Sequence, residues 1–193
     1  MQKTLSILIT SLGGDMINHE YKVIFVHVIK TGGISVATAL KMRDKQCHKP
    51  ADVIRKEVGE NMWNDYFKFT FVRNPFDKIV SQYHYGIQHC GFPHSRTFNE
   101  YIQTWYSGGE ISKHSQFHLS YINEKLDFIG RFENLQEDFN IICDKIGIPR
   151  KELPHKNKTK HKHYTEYYDE ETKQIVAEKY AKDIEYFNYE FGK

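Results

Sequence analysis

"KVIFVHVIKTGGIS", Lys22 to Ser35, is an apolar run that stops abruptly in a lysine, a threonine and two glycines. Val23 to Val28 is continuous, β-branched and short, the pattern of a strand buried on both faces of a parallel sheet. "ISVATALKMR" then supplies good helix formers and few breakers. A strand that turns sharply into a helix leaves backbone N–H groups unpaired at the helix start, and glycines let that backbone approach an anion closely. "KTGGIS" is therefore a candidate phosphate cradle. Its order differs from the GxxxxGK[ST] of nucleotide triphosphatases, because Lys30 precedes the glycines and no strand ends in a clear magnesium-binding aspartate. A kinase or ATPase is disfavoured. Taken alone, the six residues fit a plain tight turn with a solvated Lys30 equally well.

Working outward, "PADVIRKEVG" reads as a helix that begins at Pro50 and stops at Gly59. "YFKFTFV" alternates and is rich in aromatics, a second strand ended by Arg73, Asn74 and Pro75. Past Pro75 the period becomes helical through Phe76, Ile79, Val80 and Tyr83, with Asn74 as the expected cap. Ser81 lies eight residues after Arg73 and is turned away from that apolar stripe. The strand–turn–helix plan thus occurs twice, which a capping arginine and a solvated serine do not explain. "TFNE" at Thr97 has the capping-box form and opens "FNEYIQTWY". "LDFIGRF" is a third short strand, and Asn134 is the expected cap of a helix with Leu135, Phe139, Ile142 and Ile146 on one side. A last helix from about Asp169 carries Val176, Tyr180, Ile184 and Phe187; both stripes read as core. Between them "LPHKNKTKHKHYTEYY" is a basic loop without hydrophobic period.

Composition sets the outer bounds. The chain has 193 residues, 39% hydrophobic and 15% aromatic, enough for one domain with a real core. Residues 16–193 are expected to form that single domain, with 1–15 as an N-terminal extension. Twenty-seven basic residues against 25 acidic ones give a net charge of +2, which argues against a nucleic-acid partner but allows a local basic site. Cys47, Cys90 and Cys143 are odd in number and form no CxxC pair, so a reducing compartment is the simplest inference. "LSILITSL" is too short for a membrane span and lacks the features of a signal peptide. A soluble, cytoplasmic protein is expected.

From about Met16 to Phe191 the chain resembles the sulfotransferases that use 3'-phosphoadenosine 5'-phosphosulfate (PAPS). The carbohydrate branch is the nearest likeness, including family-2-like and uronosyl 2-O-sulfotransferase-like enzymes. The family motif hIPKTGGTS is matched by "HVIKTGGIS", and FVRNPxxRxxSxY by "FVRNPFDKIVSQY", in the right order. "IGRFENLQEDF" and the basic loop also look like later family segments. The resemblance implies an α/β, P-loop-NTPase-like three-layer fold with a central, mostly parallel sheet flanked by helices. It further implies transfer of a sulfuryl group from PAPS to an acceptor hydroxyl, on a glycan first and otherwise on another hydroxyl compound such as a small alcohol, a lipid or a tyrosine, releasing 3',5'-adenosine bisphosphate without a metal. Lys30 would stabilise the bridging oxygen, and Thr31, Gly32, Gly33, Ile34 and Ser35 would hold the 5'-phosphate. Arg73 and Ser81 would read the 3'-phosphate, and Asn157, Lys158 and Thr159 would contact the nucleotide from a closing loop.

The acceptor must lose a proton, a task suited to a neutral imidazole. His48, in "CHKPADVIR", sits where related enzymes carry a functional histidine and is the expected base. His84 is the next candidate, and His27, on the buried strand, is expected to be a hydrogen-bonded core residue. Lysines between His155, His161 and His163 oppose a metal site there. Ile29 and Ile34 replace the family's proline and threonine. They favour an alternative, a nucleotide- or polyanion-binding module that keeps the fold without transfer.

Overall fold

The computed structural model describes residues 16–42, 47–106, 117–154 and 162–193. The expected extension at 1–15 and the candidates Asn157, Lys158 and Thr159 lie outside these residues. The chain forms two compact units: one comprises the described parts of 1–72 and 120–156, the other those of 73–119 and 157–193.

The first unit is built on a sheet of β1 (Ile17–Asn18), β2 (Val23–Val26), β3 (Phe67–Val72) and β4 (Phe128–Arg131), in that spatial order. β2 runs parallel to β3, and β3 to β4, whereas β1 pairs antiparallel with β2. The sheet is mostly parallel, as its apolar strands require. Side-chain alternation divides the strands between two cores. Val23, Phe25, Phe69 and Phe71 face α1 (Gly33–Ala39) and α6 (Leu135–Ile146), meeting Val36, Ala37, Leu40, Phe139 and Ile142. Ile24, Val26 and Val28 face the opposite way, toward Ala51, Ile54 and Trp63 of α2 (Ala51–Asp65). Helices on both faces of one sheet give three layers, and each fully buried large apolar side chain contributes about 1.5–3 kcal/mol.

Three local expectations change. The chain leaves helical geometry at Gly59 as expected, at φ 79°, ψ 161°, but a second helical stretch follows directly, so α2 runs on across a kink. Beyond the kink, Arg55 grips Glu60 with two nitrogens at 2.8 Å, and Trp63 is drawn into the core. The helix ends where Lys68 Nζ donates to the carbonyls of Trp63 and Tyr66, meeting acceptors that a helix C-terminus leaves open. Asn134 occupies the cap position of α6 but makes no capping bond with its side chain, because the short 3-10 turn Phe132–Asn134 already leads into the helix.

The second unit is helical and aromatic. It contains α3 (Pro75–His89), α4 (Phe98–Tyr106), α7 (Glu170–Lys179), α8 (Ala181–Phe187) and the 3-10 turn Tyr164–Tyr167; α5 (His118–Tyr121) begins in it. The expected final helix is two, since Tyr180 leaves helical geometry between α7 and α8. Phe76, Ile79, Val80, Tyr83, Phe98, Tyr101, Val176 and Tyr180 form its core. Thr97 and Glu100 close the expected capping box at α4, and Asp169 with Thr172 closes another at α7. No described helix is long and apolar enough to cross a membrane.

Candidate functional site

In the first unit the chain leaves β2 through His27 and Val28, and Lys30 and Gly32 adopt left-handed backbone at φ 62° and 77°. For a lysine this conformation costs about 1–2 kcal/mol. Thr31 is fully buried and donates its hydroxyl to the Val28 carbonyl at 2.8 Å, closing the turn. That hydroxyl proton is committed to the backbone, so Thr31 can serve an anion through its N–H. Gly33 lies directly on the His27 imidazole, where a Cβ would collide with the ring, and a Cβ on Gly32 would meet Leu135 at 2.7 Å. The glycines therefore let the loop sit flush on the sheet and on α6. Ser35 N–H bonds to the Gly32 carbonyl at 3.0 Å. The first two helical residues, Gly33 and Ile34, have N–H groups with no intrahelical acceptor. Ile34 thus keeps a backbone donor although it lacks the hydroxyl of the family motif.

His48 stands beside this loop, its ring centroid 4.3 Å from that of His27 and its Nδ1 3.1 Å from the His27 carbonyl. A carbonyl only accepts, so Nδ1 carries the proton of a neutral His48 and Nε2 carries the lone pair. That tautomer is the one a general base needs. His27 is buried, yet its Nδ1 has no hydrogen-bond partner, contrary to the expected satisfied core residue. Burial, reinforced by the nearby His48, pushes its pKa down to about 3, so it is a neutral ring at physiological pH.

In the second unit Arg73 and Ser81 are both buried, at 6% and 5% exposure. Arg73 Nε donates to Asp77 Oδ2 at 2.8 Å, one helical turn along, which orients the guanidinium. Its backbone N–H donates to His118 Nε2 at 3.2 Å. Asn74 caps α3 as expected, Oδ1 accepting from Phe76 N–H, while Nδ2 donates to the carbonyls of Glu190 and Lys193. Lys78, in the arginine position of the family motif, is fully buried with Nζ 5.4 Å from the Tyr180 ring centroid. Burial lowers its pKa to about 7, against the pull of Asp183 and with help from Arg73. His84 Nε2 lies 2.9 Å from the Tyr167 hydroxyl.

Lys30, Thr31, Gly32, Gly33, Ile34, Ser35 and His48 thus belong to one unit, and Arg73 and Ser81 to the other. Sequence reasoning missed Asp77, Lys78, His118 and Asp183. Asp77 had a usable signal, its position four residues after Arg73. His118 and Asp183 had none, being 65 residues apart.

The sulfotransferase family model matches residues 15–190. An uncharacterized protein of Archaeoglobus fulgidus is 34% identical over 102 residues, 52% of this chain and 83% of that protein. Among solved structures, mouse sulfotransferase SULT7A1 complexed with PAP superimposes with a TM-score of 0.56 at 15% identity, covering 92% of this chain and 89% of the mouse chain. That likeness bears on the fold, and the match along nearly the whole sequence bears on descent: this chain belongs to the sulfotransferase family.

Proposed function

We propose that this sulfotransferase moves a sulfuryl group from PAPS to a carbohydrate hydroxyl. The observation that carries the reading is the His48 Nδ1 contact with the His27 carbonyl beside the Lys30–Ser35 loop, which leaves the basic nitrogen of the ring at Nε2. The acceptor oxygen bonds to sulfur as the bond from sulfur to the bridging phosphate oxygen breaks, yielding 3',5'-adenosine bisphosphate and a sulfate ester. His48 Nε2 takes the acceptor proton. Lys30 stabilises the negative charge that grows on the leaving oxygen. The backbone N–H groups of Gly33 and Ile34, with Ser35, hold the 5'-phosphate; Arg73, oriented by Asp77, and Ser81 read the 3'-phosphate. Asn157, Lys158 and Thr159 contribute nucleotide contacts.

The residues fit such a donor: helix-start donors and a lysine belong to one strand exit, and an oriented arginine to the next. The structure of mouse sulfotransferase SULT7A1 complexed with PAP, which shares the fold, supports the nucleotide, and the likeness of both motifs to the carbohydrate branch supports a sugar acceptor. Residues 16–193 act as one sulfotransferase domain. Three widely spaced cysteines, odd in number and without a CxxC pair, favour a reducing compartment such as the cytoplasm. Ile34 favours the second reading, a binding module without transfer. Incubation with PAPS labelled in the sulfuryl group and a panel of glycans and small hydroxyl compounds separates them. Label in a glycan product supports the proposal; tight PAPS binding without any sulfated product supports the module; magnesium-dependent ATP turnover contradicts both.

A further inference from the structure

Arg73 is the first residue after β3, and its backbone N–H is satisfied by an imidazole rather than by a carbonyl. That N–H can only donate, so His118 Nε2 must accept and Nδ1 must carry the ring proton. Nδ1 faces Asp183 Oδ2 at 2.9 Å, the geometry of N–H donation to a carboxylate. Asp183 is held in turn by the His118 N–H at 2.6 Å and the Leu119 N–H at 3.1 Å, which occupy both of its oxygens and lock its rotation. Neither side chain of the pair reaches solvent, with exposures of 0% and 1%. A chain of hydrogen bonds therefore runs from the first turn of α8, through the start of α5, to the residue that leaves the strand.

The electrostatics keep this arrangement in one protonation state. Burial, aided by the charge of Lys78, lowers the His118 pKa to about 4 despite Asp183, so the imidazole stays a neutral acceptor. Burial pushes the Asp183 carboxyl up, but the hydrogen bonds from His118 and Leu119 outweigh it and hold its pKa below the ordinary value. A carboxylate behind an imidazole also makes the far nitrogen a better acceptor, as with histidines that ligate metals. Arg73 is thus gripped twice, at its backbone by His118 and at its guanidinium by Asp77. Recognition groups must be held to about 0.5 Å to function, and a planar guanidinium is selective for a phosphate only in a fixed orientation.

We propose that His118, oriented by Asp183, is a positioning residue for 3'-phosphate recognition: it fixes the backbone of Arg73 and thereby the preference for 3'-phosphorylated nucleotides. This rests on the reading of Arg73 given above.

The test compares the affinities of 3',5'-adenosine bisphosphate and 5'-AMP by calorimetry in the full chain. His118→Phe removes the acceptor and should reduce the affinity ratio about tenfold, the scale on which loss of an outer positioning partner acts. His118→Gln places an amide oxygen near the Nε2 position and should restore most of the ratio. In an Arg73→Ala background, where the preference has already collapsed, His118→Phe should change the ratio no further. A residue that merely supported the fold would lower both affinities together and leave their ratio alone. Should His118→Phe fail to fold, Asp183→Asn carries the test. Its single oxygen cannot satisfy all three donors, and inversion of the imidazole tautomer would turn an Nε2–H toward the Arg73 N–H, so the ratio should fall as well. If Arg73→Ala abolishes the preference but His118→Phe and Asp183→Asn leave it intact, the inference is overturned and the reading of Arg73 stands. If Arg73→Ala keeps the preference, both fall.

Discussion

The two strand exits follow one plan and are held in opposite ways. After β2 the backbone is fixed by shape: Gly33 rests on His27, Gly32 faces Leu135 and Phe132, and the Thr31 hydroxyl closes the turn. After β3 it is fixed by hydrogen bonds: His118 takes the Arg73 N–H, and Asn74 binds Phe76 N–H and two carbonyls of the C-terminal segment. Each exit contains a buried histidine, one with an unpaired Nδ1 and one using both nitrogens. Packing leaves a loop's N–H groups open to a ligand. Hydrogen bonding uses up the backbone and fixes one side chain in place. The first arrangement suits a loop that meets a phosphate with its main chain, and the second suits selective recognition by an arginine.

On this division, the largest effects at the first exit fall on rate. His48→Ala should reduce turnover by about 10²–10⁴ and abolish the low-pH limb of the rate profile. Lys30→Ala should reduce it by about 10²–10³ with little change in affinity for the product nucleotide. Normal turnover in His48→Ala would move the base elsewhere, with His84 examined next.

The two buried histidines sharpen the contrast in stability. His118→Leu strands a buried carboxylate and the Arg73 N–H, so urea unfolding at pH 7.5 should show a loss of about 3–5 kcal/mol. His27→Leu removes a ring nitrogen that has no partner and should cost less than about 1.5 kcal/mol. Acid treats the two alike. Both folded-state pKa values lie below that of the unfolded chain, at about 3 for His27 and about 4 for His118. Their contribution is therefore complete above pH 6.5 and is lost as pH falls toward those values. Between pH 6.5 and 5 each accounts for a loss of about 2 kcal/mol, at ~1.4 kcal/mol per pH unit. His27→Leu should flatten that slope; an unchanged slope would contradict a buried, neutral His27.

Much of the frame was legible in the chain. The β-branched run at Val23, the aromatic strand ending in Arg73 and the helical stripes are local patterns, and burial of one face enforces them. The break at Gly59 was legible, but the helical stretch beyond it and the break at Tyr180 were not, because what continues the chain beyond each is decided by tertiary contacts such as those of Trp63 and Phe187. β1 is only two residues long and exists by pairing with β2. In the site, the glycines and Arg73 announced themselves by type and spacing. His27 beneath Gly33 depends on a turn in the backbone, and Asp183 behind His118 on residues 65 apart, and no local period records either.

Smaller effects test the two modes of restraint. Gly33→Ala drives a methyl into the His27 ring and should cost about 1–3 kcal/mol of stability while weakening nucleotide binding. Asn74→Ala removes a helix cap and should cost about 1 kcal/mol, seen as a lower thermal midpoint. The smallest change is expected for Ile34→Thr, a few-fold gain in PAPS affinity from one added donor worth about 1 kcal/mol. Unchanged affinity with a marked loss of stability would make Ile34 a packing residue.

The central claim is that the second exit reads a 3'-phosphate. Calorimetric titration of the wild-type chain with 3',5'-adenosine bisphosphate and with 5'-AMP tests it most directly. The account predicts much tighter binding of the bisphosphate, with the difference largely erased in Arg73→Ala; equal affinities of the wild-type chain for the two nucleotides would contradict it.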